Sequence, residues 1–417
     1  MLEGTYPYAI GGVSSWVDGL VRSLPEVRFG IAHLYAGEAP KAVHFERPNN
    51  VVWQRDLRLP DALDALDPDA LAAQVPDADV IHALSTGFAG LVGAAASRQR
   101  GAPLVVTEHG VYWHEVEQGS PELETGLRLA GLDASAGNAC ASRALWVRRF
   151  KEYARRAYAA AAVVTTVTAA NVPLQRRAGA GSVEVIPNGV APPDRRGPLL
   201  GSELARLHPS ARRPATARIG LIGRVAPLKD VHAFVRAAAA VLAERPDVRA
   251  FVVGPQDDPA YADSCRALAR RLGIEERLHW TGPQPATLWH RHLDLVVLTS
   301  RSEAEPLVLL EAMAHGTPVV APDVGGCAAL IAGGGLPPAG RVVRASGDVV
   351  RDLGPPTAAA VLDLLADPLA RQRAGAAGRQ RVARRTVAAV AERYAALYAG
   401  LRAGSQPCHL GSMADVA

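Results

Sequence analysis

Short apolar runs alternate with helix-length segments along the whole chain, which is the pattern of βα units stacked into a parallel sheet. Five runs in the first half predict strands: FGIAHLY (29–35), DVIHAL (79–84), PLVVTEHG (103–110), AVVTTVT (162–168) and VEVIPNG (183–189). The second half repeats the pattern with four: ARIGLIGR (217–224), VRAFVVGP (248–255), LDLVVLTS (293–300) and TPVVAPDVGG (317–326). Helices are predicted between these later strands, beginning near Val231, Ala260 and Leu307. The pattern therefore predicts an α/β protein with two doubly wound parallel sheets.

The length of the chain supports two domains, because 417 residues exceed the size at which one hydrophobic core keeps growing. A proline-rich, aperiodic segment at 192–214 predicts an interdomain connection, and the pattern after Pro356 is wholly helical. The predicted bounds are a Rossmann-like first domain at 1–209, a Rossmann-like second domain at 210–383, a helix at 384–403 that packs back on the first domain, and a flexible tail at 404–417. A cleft is expected between the domains.

Charge and cysteine content exclude several classes of function. The 45 basic and 41 acidic residues give a net charge of only +4, so nucleic acid is not implied. Four cysteines show neither Cys-x-x-Cys nor Cys/His spacing, which argues against a disulfide framework and a zinc site. Neither a signal peptide nor a membrane-spanning segment is recognisable, and we expect a cytoplasmic protein. Arginine-rich helices at 143–156 and 371–385 favour solvated faces, with peripheral membrane contact left open. The oligomeric state is not indicated.

The most specific motif is SRSEAEPLVLLEAMAHGTPVVAPDVGG (300–326), in which two carboxylates, Glu303 and Glu311, bracket the predicted end of a strand and start of a helix. Pro306 suits the first turn of that helix, whose N-terminus would point free amides at the mouth of the sheet and favour a diphosphate there. Glu303 could then bind sugar hydroxyls, and Glu311 could bind those of a ribose. Alternatively, Glu303 could be a helix-capping residue and Glu311 could lie on a solvated helix face. The sequence context of the motif favours a binding site.

That context is IGLIGRVAPLKDV (219–231), where a predicted strand ends in Gly223 and Arg224 and Lys229 follows one turn later. A diphosphate leaving group gains negative charge as the glycosidic bond breaks, and a guanidinium and an ammonium can stabilise it without a metal ion. A surface pair on a βα loop is the alternative. Lys229 is one of few lysines in an arginine-dominated chain, which favours the functional interpretation.

The first half offers weaker candidates. Gly11 and Gly12 form a glycine pair where backbone could approach phosphate, followed by Ser14 as a candidate helix cap, although an ordinary loop has the same composition. His109 closes a predicted strand and could overhang a cleft, with a buried core histidine as the alternative. Asp67 and Asp69 have the spacing of a metal-binding DxD motif but lie in a helix-like segment, which favours a solvated face. No metal site is predicted, and His114, His290, His292 and His315 receive no role.

Taken together, these blocks resemble family-4 glycosyltransferases, most closely the Pel-type exopolysaccharide subgroup. The blocks that carry the resemblance occur in order over roughly residues 3–400: EGTYPYAIGGVSSW, TEHGVYWHE, VIPNGV, GRVAPLKD, VGPQDDPAYADSC and SEAEPLVLLEAMAHGTPVVAPDVGG. The resemblance implies a GT-B fold and a retaining sugar transfer from a nucleotide diphosphate sugar to a carbohydrate or small-molecule acceptor. It implies no cofactor and no divalent cation, and the departing phosphate oxygen would take the acceptor proton.

The resemblance also implies roles for individual residues. Arg224 and Lys229 would hold the diphosphate, Glu303 the donor sugar and Glu311 the ribose. The implied catalytic set is His109, Arg224, Lys229 and Glu303. The implied donor-binding set is Gly11, Gly12, Gly223, Arg224, Lys229, Pro255, Glu303, Ala304, Glu305, Pro306, Leu307 and Glu311. The implied acceptor side comprises Tyr8, Ser14, Tyr112 and Asn188.

The sequence departs from the family pattern at two places. Met1 stands where the family has several apolar residues of the first strand, so we expect either a short first strand or a truncated start. Ala304 replaces the glycine that is common after the first glutamate, and Glu305 places a third carboxylate beside a diphosphate site. A nucleotide-binding scaffold of a polysaccharide complex that has lost transfer activity is therefore one alternative, and a GT-B epimerase or pseudo-glycosyltransferase is another. A UDP-linked hexose or hexosamine is the expected donor.

Overall fold

The structure is a computed structural model that describes residues 1–4, 6–40, 42–60, 66–118, 139–193, 199, 201–212, 215–256, 258–344 and 352–404. The chain divides into two compact units. The first comprises Met1–Gly189 and the segment that begins at Val387, and the second comprises Val190–Thr386.

The first unit contains two parallel sheets. A three-stranded sheet has the strand order β1 (Leu2–Glu3), β2 (Phe29–Tyr35), β3 (Val51–Arg58). A four-stranded sheet follows in the order β4 (Ile81–Ala83), β5 (Leu104–Glu108), β6 (Ala161–Thr166), β7 (Glu184–Val185). The helices of this part of the chain are α1 (Gly12–Ser23), α2 (Pro68–Ala73), α3 (Phe88–Arg100), α4 (Tyr112–Glu117), α5 (Ala139–Ala160) and α6 (Val172–Arg177). The alternation of strands and helices confirms the predicted α/β pattern.

The second unit is built on one six-stranded parallel sheet with the order β10-β9-β8-β11-β12-β13. Its strands are β8 (Ala217–Ile222), β9 (Val248–Val253), β10 (Leu278–Gly282), β11 (Leu295–Val297), β12 (Val319–Pro322) and β13 (Gly340–Val343). Its helices are α7 (Gly201–Ala205), α8 (Val231–Glu244), α9 (Pro259–Arg271), α10 (Ala286–His292), α11 (Leu307–His315), α12 (Cys327–Ala332), α13 (Gly354–Ala366) and α14 (Pro368–Val382). The strand order reverses between β8 and β11, and ligands of such sheets bind beyond the carboxyl ends of the strands at that point.

The middle strands of the six-stranded sheet are buried on both faces. Along β11, Leu295 and Val297 belong to one apolar cluster while Val296, between them, belongs to the cluster on the other face. Successive side chains of a strand point to opposite faces, so a strand covered by helices on both sides must be apolar at every position. This explains why β11 and the residue after it, LVVL (295–298), contain no polar residue.

The last helix, α15 (Val387–Arg402), belongs to the first unit. Its buried residues Ala391, Tyr394 and Leu397 share an apolar cluster with Trp16 and Leu20 of α1. The helix therefore buries its apolar face within the first unit, although it follows the second unit in the chain.

The sequence analysis placed the boundary between the domains at 209/210, whereas the second compact unit begins at Val190. Val190 donates its backbone N–H to the carbonyl of Arg385 at 2.8 Å and forms a parallel bridge with Thr386. The segment that enters the second unit is thus hydrogen-bonded to the segment that leaves it.

Candidate functional site

Predicted donor-site residues from three separate motifs follow neighbouring strands of the second sheet. Gly223 and Arg224 come after β8, Pro255 comes after β9, and Glu303 comes after β11. The carboxyl ends of parallel strands share one edge of the sheet, so these residues lie at the same edge, on both sides of the point where strand order reverses.

The helix α11 begins at this edge without a side-chain cap. Its N-cap residue, Pro306, has no hydroxyl, amide or carboxylate to offer, whereas Asp230, Asp258 and Asp367 accept backbone N–H bonds at the starts of α8, α9 and α14. The first amides of an uncapped helix carry partial positive charge and suit an anionic ligand. The start of α11 is therefore suited to bind a diphosphate.

Lys229 and Glu303 form an ion pair at the same edge, with the Lys229 ammonium 2.6 Å from Oε1 of Glu303. The Glu303 side chain is only 2% exposed and that of Lys229 17%. Lys229 ends a short 3₁₀ turn in the β8 loop (residues 223–230), and Glu303 lies in the β11 loop (residues 298–306). The structure thus brings together two residues that the sequence analysis took from different motifs.

Hydrogen bonds hold the two loops against each other. The hydroxyl of Thr299 donates to the backbone carbonyls of Lys229 and Asp230, both at 3.0 Å. The backbone N–H of Arg301 donates to the carbonyl of Leu228 at 2.9 Å. Because backbone groups make most of these bonds, the relative position of Lys229 and Glu303 does not depend on the ion pair alone.

A glycine turn supports the β11 loop from below. Gly325 has a positive φ of 52°, and a Cβ atom there would lie 1.6 Å from the backbone oxygen of Glu303. The next residue, Gly326, donates its N–H to the carbonyl of Ala304 at 2.7 Å. Only a residue without a side chain permits this approach. The glycine pair at the end of the sequence motif, Gly325 and Gly326, therefore determines the position of the β11 loop, which carries Glu303.

The third carboxylate, Glu305, is paired as well. Its Oε1 lies 2.6 Å from the Arg385 guanidinium, and its side chain is 7% exposed. Arg385 lies in the segment whose carbonyl accepts the N–H of Val190. The added negative charge that the sequence analysis noted beside the diphosphate site is thus offset by a cation that it did not identify.

Glu311 lies in the second turn of α11 with its side chain 38% exposed, and it faces His290 of α10. Nε2 of His290 is 3.1 Å from Oε2 of Glu311. The sequence analysis gave His290 no role, and its distance from Glu311 in the chain left no local signal.

The candidate residues of the first unit lie around the start of α1. Gly11 is the N-cap of this helix in an extended conformation and makes no side-chain capping bond. Ser14 is not the cap, contrary to the sequence analysis, because the helix begins at Gly12 and the buried Ser14 hydroxyl lies inside it without a hydrogen-bond partner. The start of α1 therefore lacks a side-chain cap, as that of α11 does.

Tyr8, also predicted on the acceptor side, joins a small polar cluster. Its hydroxyl donates to Oδ2 of Asp56 at 2.6 Å and accepts from the side-chain amide of Gln54 at 2.8 Å. Burial and the neighbouring carboxylate raise the pKa of Tyr8 to about 12. The phenol is therefore a neutral hydrogen-bonding group at physiological pH.

Tyr112 and Asn188, the other acceptor-side candidates, are both buried, at 3% exposure. The Tyr112 hydroxyl donates to Oε2 of Glu3 at 3.1 Å. Glu3 is itself buried and accepts two further bonds, from the hydroxyl of Ser85 and from the backbone N–H of Ala89 at the start of α3. This buried carboxylate caps α3 from a distant part of the chain, and the sequence analysis did not identify it.

His109 follows β5 and packs edge-to-face on Trp16, with ring centroids 4.7 Å apart. It is 7% exposed, and its Nε2 has no hydrogen-bond partner. Burial lowers the pKa of His109 to about 4. The imidazole is therefore neutral at pH 7.

We expect His109 to make the first unit less stable in mild acid. Since its folded-state pKa is near 4 and its unfolded-state pKa near 6.5, the unfolded chain takes up a proton first as pH falls, and stability is lost between those values. This loss amounts to about 2 kcal/mol at pH 5. His109→Gln should lose correspondingly less stability between pH 7 and pH 5, measured by urea unfolding with pulsed hydrogen exchange of β5. Equal losses in both proteins would contradict the assignment.

The structure also bears on metal binding and membranes. Asp67 caps α2 by accepting the N–H groups of Asp69 and Ala70, while the Asp69 carboxylate pairs with Arg98. Within the described ranges, no group of three His, Cys, Asp or Glu side chains could hold a metal ion. Of the helices described, none combines the length and apolar character needed to cross a bilayer.

Two family descriptions match successive parts of the sequence. Residues 216–367 match Glycosyl transferases group 1, and residues 1–68 and 62–182 match a domain of unknown function, DUF3492. D-inositol 3-phosphate glycosyltransferase 2 of Catenulispora acidiphila is 38% identical over 152 residues, which are 32% of this chain and 36% of that protein. The corresponding enzyme of Thermobispora bispora is 45% identical over 123 residues, or 27% of this chain and 29% of that one. The chain thus spans about a third of the length of these curated relatives.

Solved structures match over nearly the whole chain. Sucrose-phosphate synthase from Thermosynechococcus elongatus superposes with a TM-score of 0.71 at 21% identity, covering 97% of this chain and 99% of that one. Anabaena HepE in complex with UDP and glucose has a TM-score of 0.71 at 18% identity, covering 95% and 98%. The chain therefore has the GT-B fold, and residues 216–367 of its second unit match the Glycosyl transferases group 1 family.

Proposed function

We propose that the chain is a retaining hexosyltransferase that moves a sugar from a UDP-linked donor to an acceptor hydroxyl without a divalent cation. The observation that carries the proposal is the Lys229–Glu303 pair beside the uncapped start of α11, at the point where the strand order of the second sheet reverses. A cation, a row of free amides and a buried carboxylate are what a diphosphate sugar requires.

Each part of the donor has a proposed partner. Arg224, Lys229 and the first amides of α11 bind the diphosphate and offset the charge that it gains on departure. Glu303 accepts hydrogen bonds from the sugar, and Glu311 accepts them from the ribose. His109, neutral at pH 7 because burial lowers its pKa to about 4, and the uncapped start of α1 are the contributions that we propose for the first unit.

In the proposed reaction the bond between the anomeric carbon and the phosphate oxygen breaks, and a bond from the acceptor oxygen forms on the same face of the sugar. The acceptor proton passes to the departing phosphate oxygen, which leaves on the nucleoside diphosphate. No side chain needs to serve as a general base, and the cations act by stabilising the leaving group.

The comparisons support particular choices of donor and acceptor. Anabaena HepE is described in complexes with UDP-glucose and with UDP and glucose, which supports a UDP donor. The D-inositol 3-phosphate glycosyltransferases support a small polyol acceptor, whereas the sequence blocks that resemble the Pel-type subgroup support a carbohydrate one. We propose an acceptor that presents a sugar or polyol hydroxyl, in the cytoplasm, where nucleotide sugars are made.

The test is calorimetric titration of the full chain with UDP, GDP and ADP in EDTA, followed by turnover assays with sugars linked to the preferred nucleotide. We expect selective binding of UDP, unchanged when magnesium replaces EDTA, and a product whose anomeric proton signal shows retention. Binding of none of the three nucleotides would overturn the proposal. Loss of turnover in EDTA with recovery in magnesium would overturn its metal-free part, and binding without transfer or hydrolysis would favour a scaffold.

A further inference from the structure

Glu311 is held at two points by histidines. Its Oε2 lies 3.1 Å from Nε2 of His290, and its backbone carbonyl accepts a bond from Nδ1 of His315 at 2.8 Å. The rings of the two histidines stack on each other, with centroids 5.5 Å apart and an angle of 21° between their planes. A glutamate on a helix surface normally samples several rotamers, and the contact between its carboxylate and Nε2 of His290 favours one of them.

His290 is itself firmly held. Its side chain is 1% exposed, and its backbone carbonyl accepts the hydroxyl of Thr317, which follows α11. The preceding residue, Trp289, is fully buried against Phe251 of β9. His290 therefore projects from the core of the second unit toward Glu311, and its ring is shielded from solvent.

The hydrogen bonds of His290 select its tautomer. Nδ1 is buried and has no partner, while Nε2 faces the Glu311 carboxylate. If Nδ1 carried the proton, a buried N–H would have no acceptor, and the lone pair of Nε2 would face a carboxylate. If Nε2 carries it, the N–H donates to the carboxylate and only the lone pair of Nδ1 is left unpaired, which costs less free energy. Nε2 therefore carries the proton and donates to Oε2, which leaves Oε1 of Glu311 for another donor.

We infer that His290 is a positioning residue that fixes Glu311 so that its second oxygen is preorganised for a vicinal diol, which makes the site select ribonucleotides over 2′-deoxyribonucleotides. The inference rests on the proposed function, because the ribose is the diol that Glu311 is proposed to bind. A carboxylate with one oxygen already hydrogen-bonded loses less side-chain entropy when a ligand binds. A 2′-deoxyribose lacks one of the hydroxyls that would donate to Oε1 of Glu311, so that oxygen loses a hydrogen bond.

The experiment measures Kd for UDP and 2′-deoxy-UDP by calorimetry and uses their ratio as the readout, since a general loss of stability does not change it. We expect a ratio of about 10 to 100 in the unmodified protein, as for one hydrogen bond to a charged group. Glu311→Ala should bring the ratio close to one. His290→Phe, which keeps the stacked ring but removes the donor, should lower the ratio by about fivefold.

Two further variants separate positioning from packing. His290→Gln, whose amide can reach the place of Nε2, should recover at least half of the lost discrimination. His292→Leu is the matched control in the same helix, because the His292 ring bonds the carbonyl of Ala211, at 2.9 Å from Nε2, instead of a carboxylate. It should lower the melting temperature and leave the Kd ratio unchanged. Should His290→Phe fail to fold, His290→Leu carries the same expectation.

The outcomes distinguish the inference from the function on which it rests. A ratio that falls in Glu311→Ala but stays unchanged in His290→Phe would overturn the role of His290 and leave the donor site intact. A ratio unchanged in Glu311→Ala would overturn the inference and the ribose role of Glu311, while UDP binding would still support the donor site. No binding of UDP by the unmodified protein would overturn the proposed function as well. Equal ratios in His290→Phe and His290→Gln would assign the ring to packing and contradict the inference.

Discussion

Lys229→Ala is expected to lower kcat/KM by about a hundredfold to a thousandfold, the range found when one group that stabilises a developing negative charge is removed. The substitution deletes the ammonium that is proposed to meet the departing diphosphate. It also leaves the Glu303 carboxylate, 2% exposed, without the cation that lies 2.6 Å away. Both effects act on the same step, so turnover should fall more than the affinity for the donor.

Steady-state kinetics with the preferred nucleotide sugar would measure this effect. Lys151→Ala is the matched control, because Lys151 pairs with Glu117 in the first unit and should change kcat/KM little. The double variant Lys229→Ala/Glu303→Gln removes the unpaired buried charge, and it should recover thermal stability without recovering turnover. Turnover of Lys229→Ala within a few fold of the unmodified enzyme would exclude Lys229 from the site.

The second large effect is expected from Gly325→Ala, a change of one methyl group outside the predicted catalytic set. Its Cβ would lie 1.6 Å from the backbone oxygen of Glu303, so the β11 loop must move by an ångström or more. A displacement of that size in a catalytic group lowers rate by about a hundredfold. We therefore expect kcat/KM to fall by about that factor, with the protein still folded.

Gly335→Ala provides the control for backbone strain. Gly335 also has a positive φ, of 68°, but a Cβ there would meet no heavy atom within 4 Å. In both variants an alanine in the left-handed region lowers the free energy of unfolding by about 1 kcal/mol. Only Gly325→Ala also displaces the β11 loop. Similar losses of kcat/KM in the two variants would show that the close approach to Glu303 is not what sets the rate.

The buried strands of the fold could be predicted from sequence, whereas several edge strands could not. β2, β5, β8, β9 and β12 fall inside predicted apolar runs because neighbouring strands or helices cover them. The missed strands β3, β10 and β13 each lie at the edge of a sheet. β3, for example, reads VVWQRDLR and exposes Arg55 and Asp56, as edge strands do to avoid pairing with other chains. Their mixed composition resembles that of a loop.

The candidate site shows the same division. Lys229 and Glu303 were each predicted from motifs at strand ends, since parallel strands bring such motifs to one edge without any further information. The partners of these residues were not predictable, because they come from packing. Arg385 lies 80 residues from Glu305 in the chain, and His290 lies 21 residues from Glu311, on another helix. The role of Gly325 was not predictable either, because it depends on how closely the backbone of Glu303 approaches a residue that has no side chain.

The ion pair between Lys229 and Glu303 has a consequence for how the proposed enzyme completes its cycle. A diphosphate that draws Lys229 toward itself leaves the buried Glu303 carboxylate in need of hydrogen-bond donors. The hydroxyls of an intact donor sugar supply them, whereas UDP alone, after transfer, does not. Binding of UDP therefore breaks the pair without supplying hydrogen-bond donors to Glu303, whereas binding of a nucleotide sugar supplies them. We expect UDP to bind more weakly than the intact nucleotide sugar, which limits inhibition by the product.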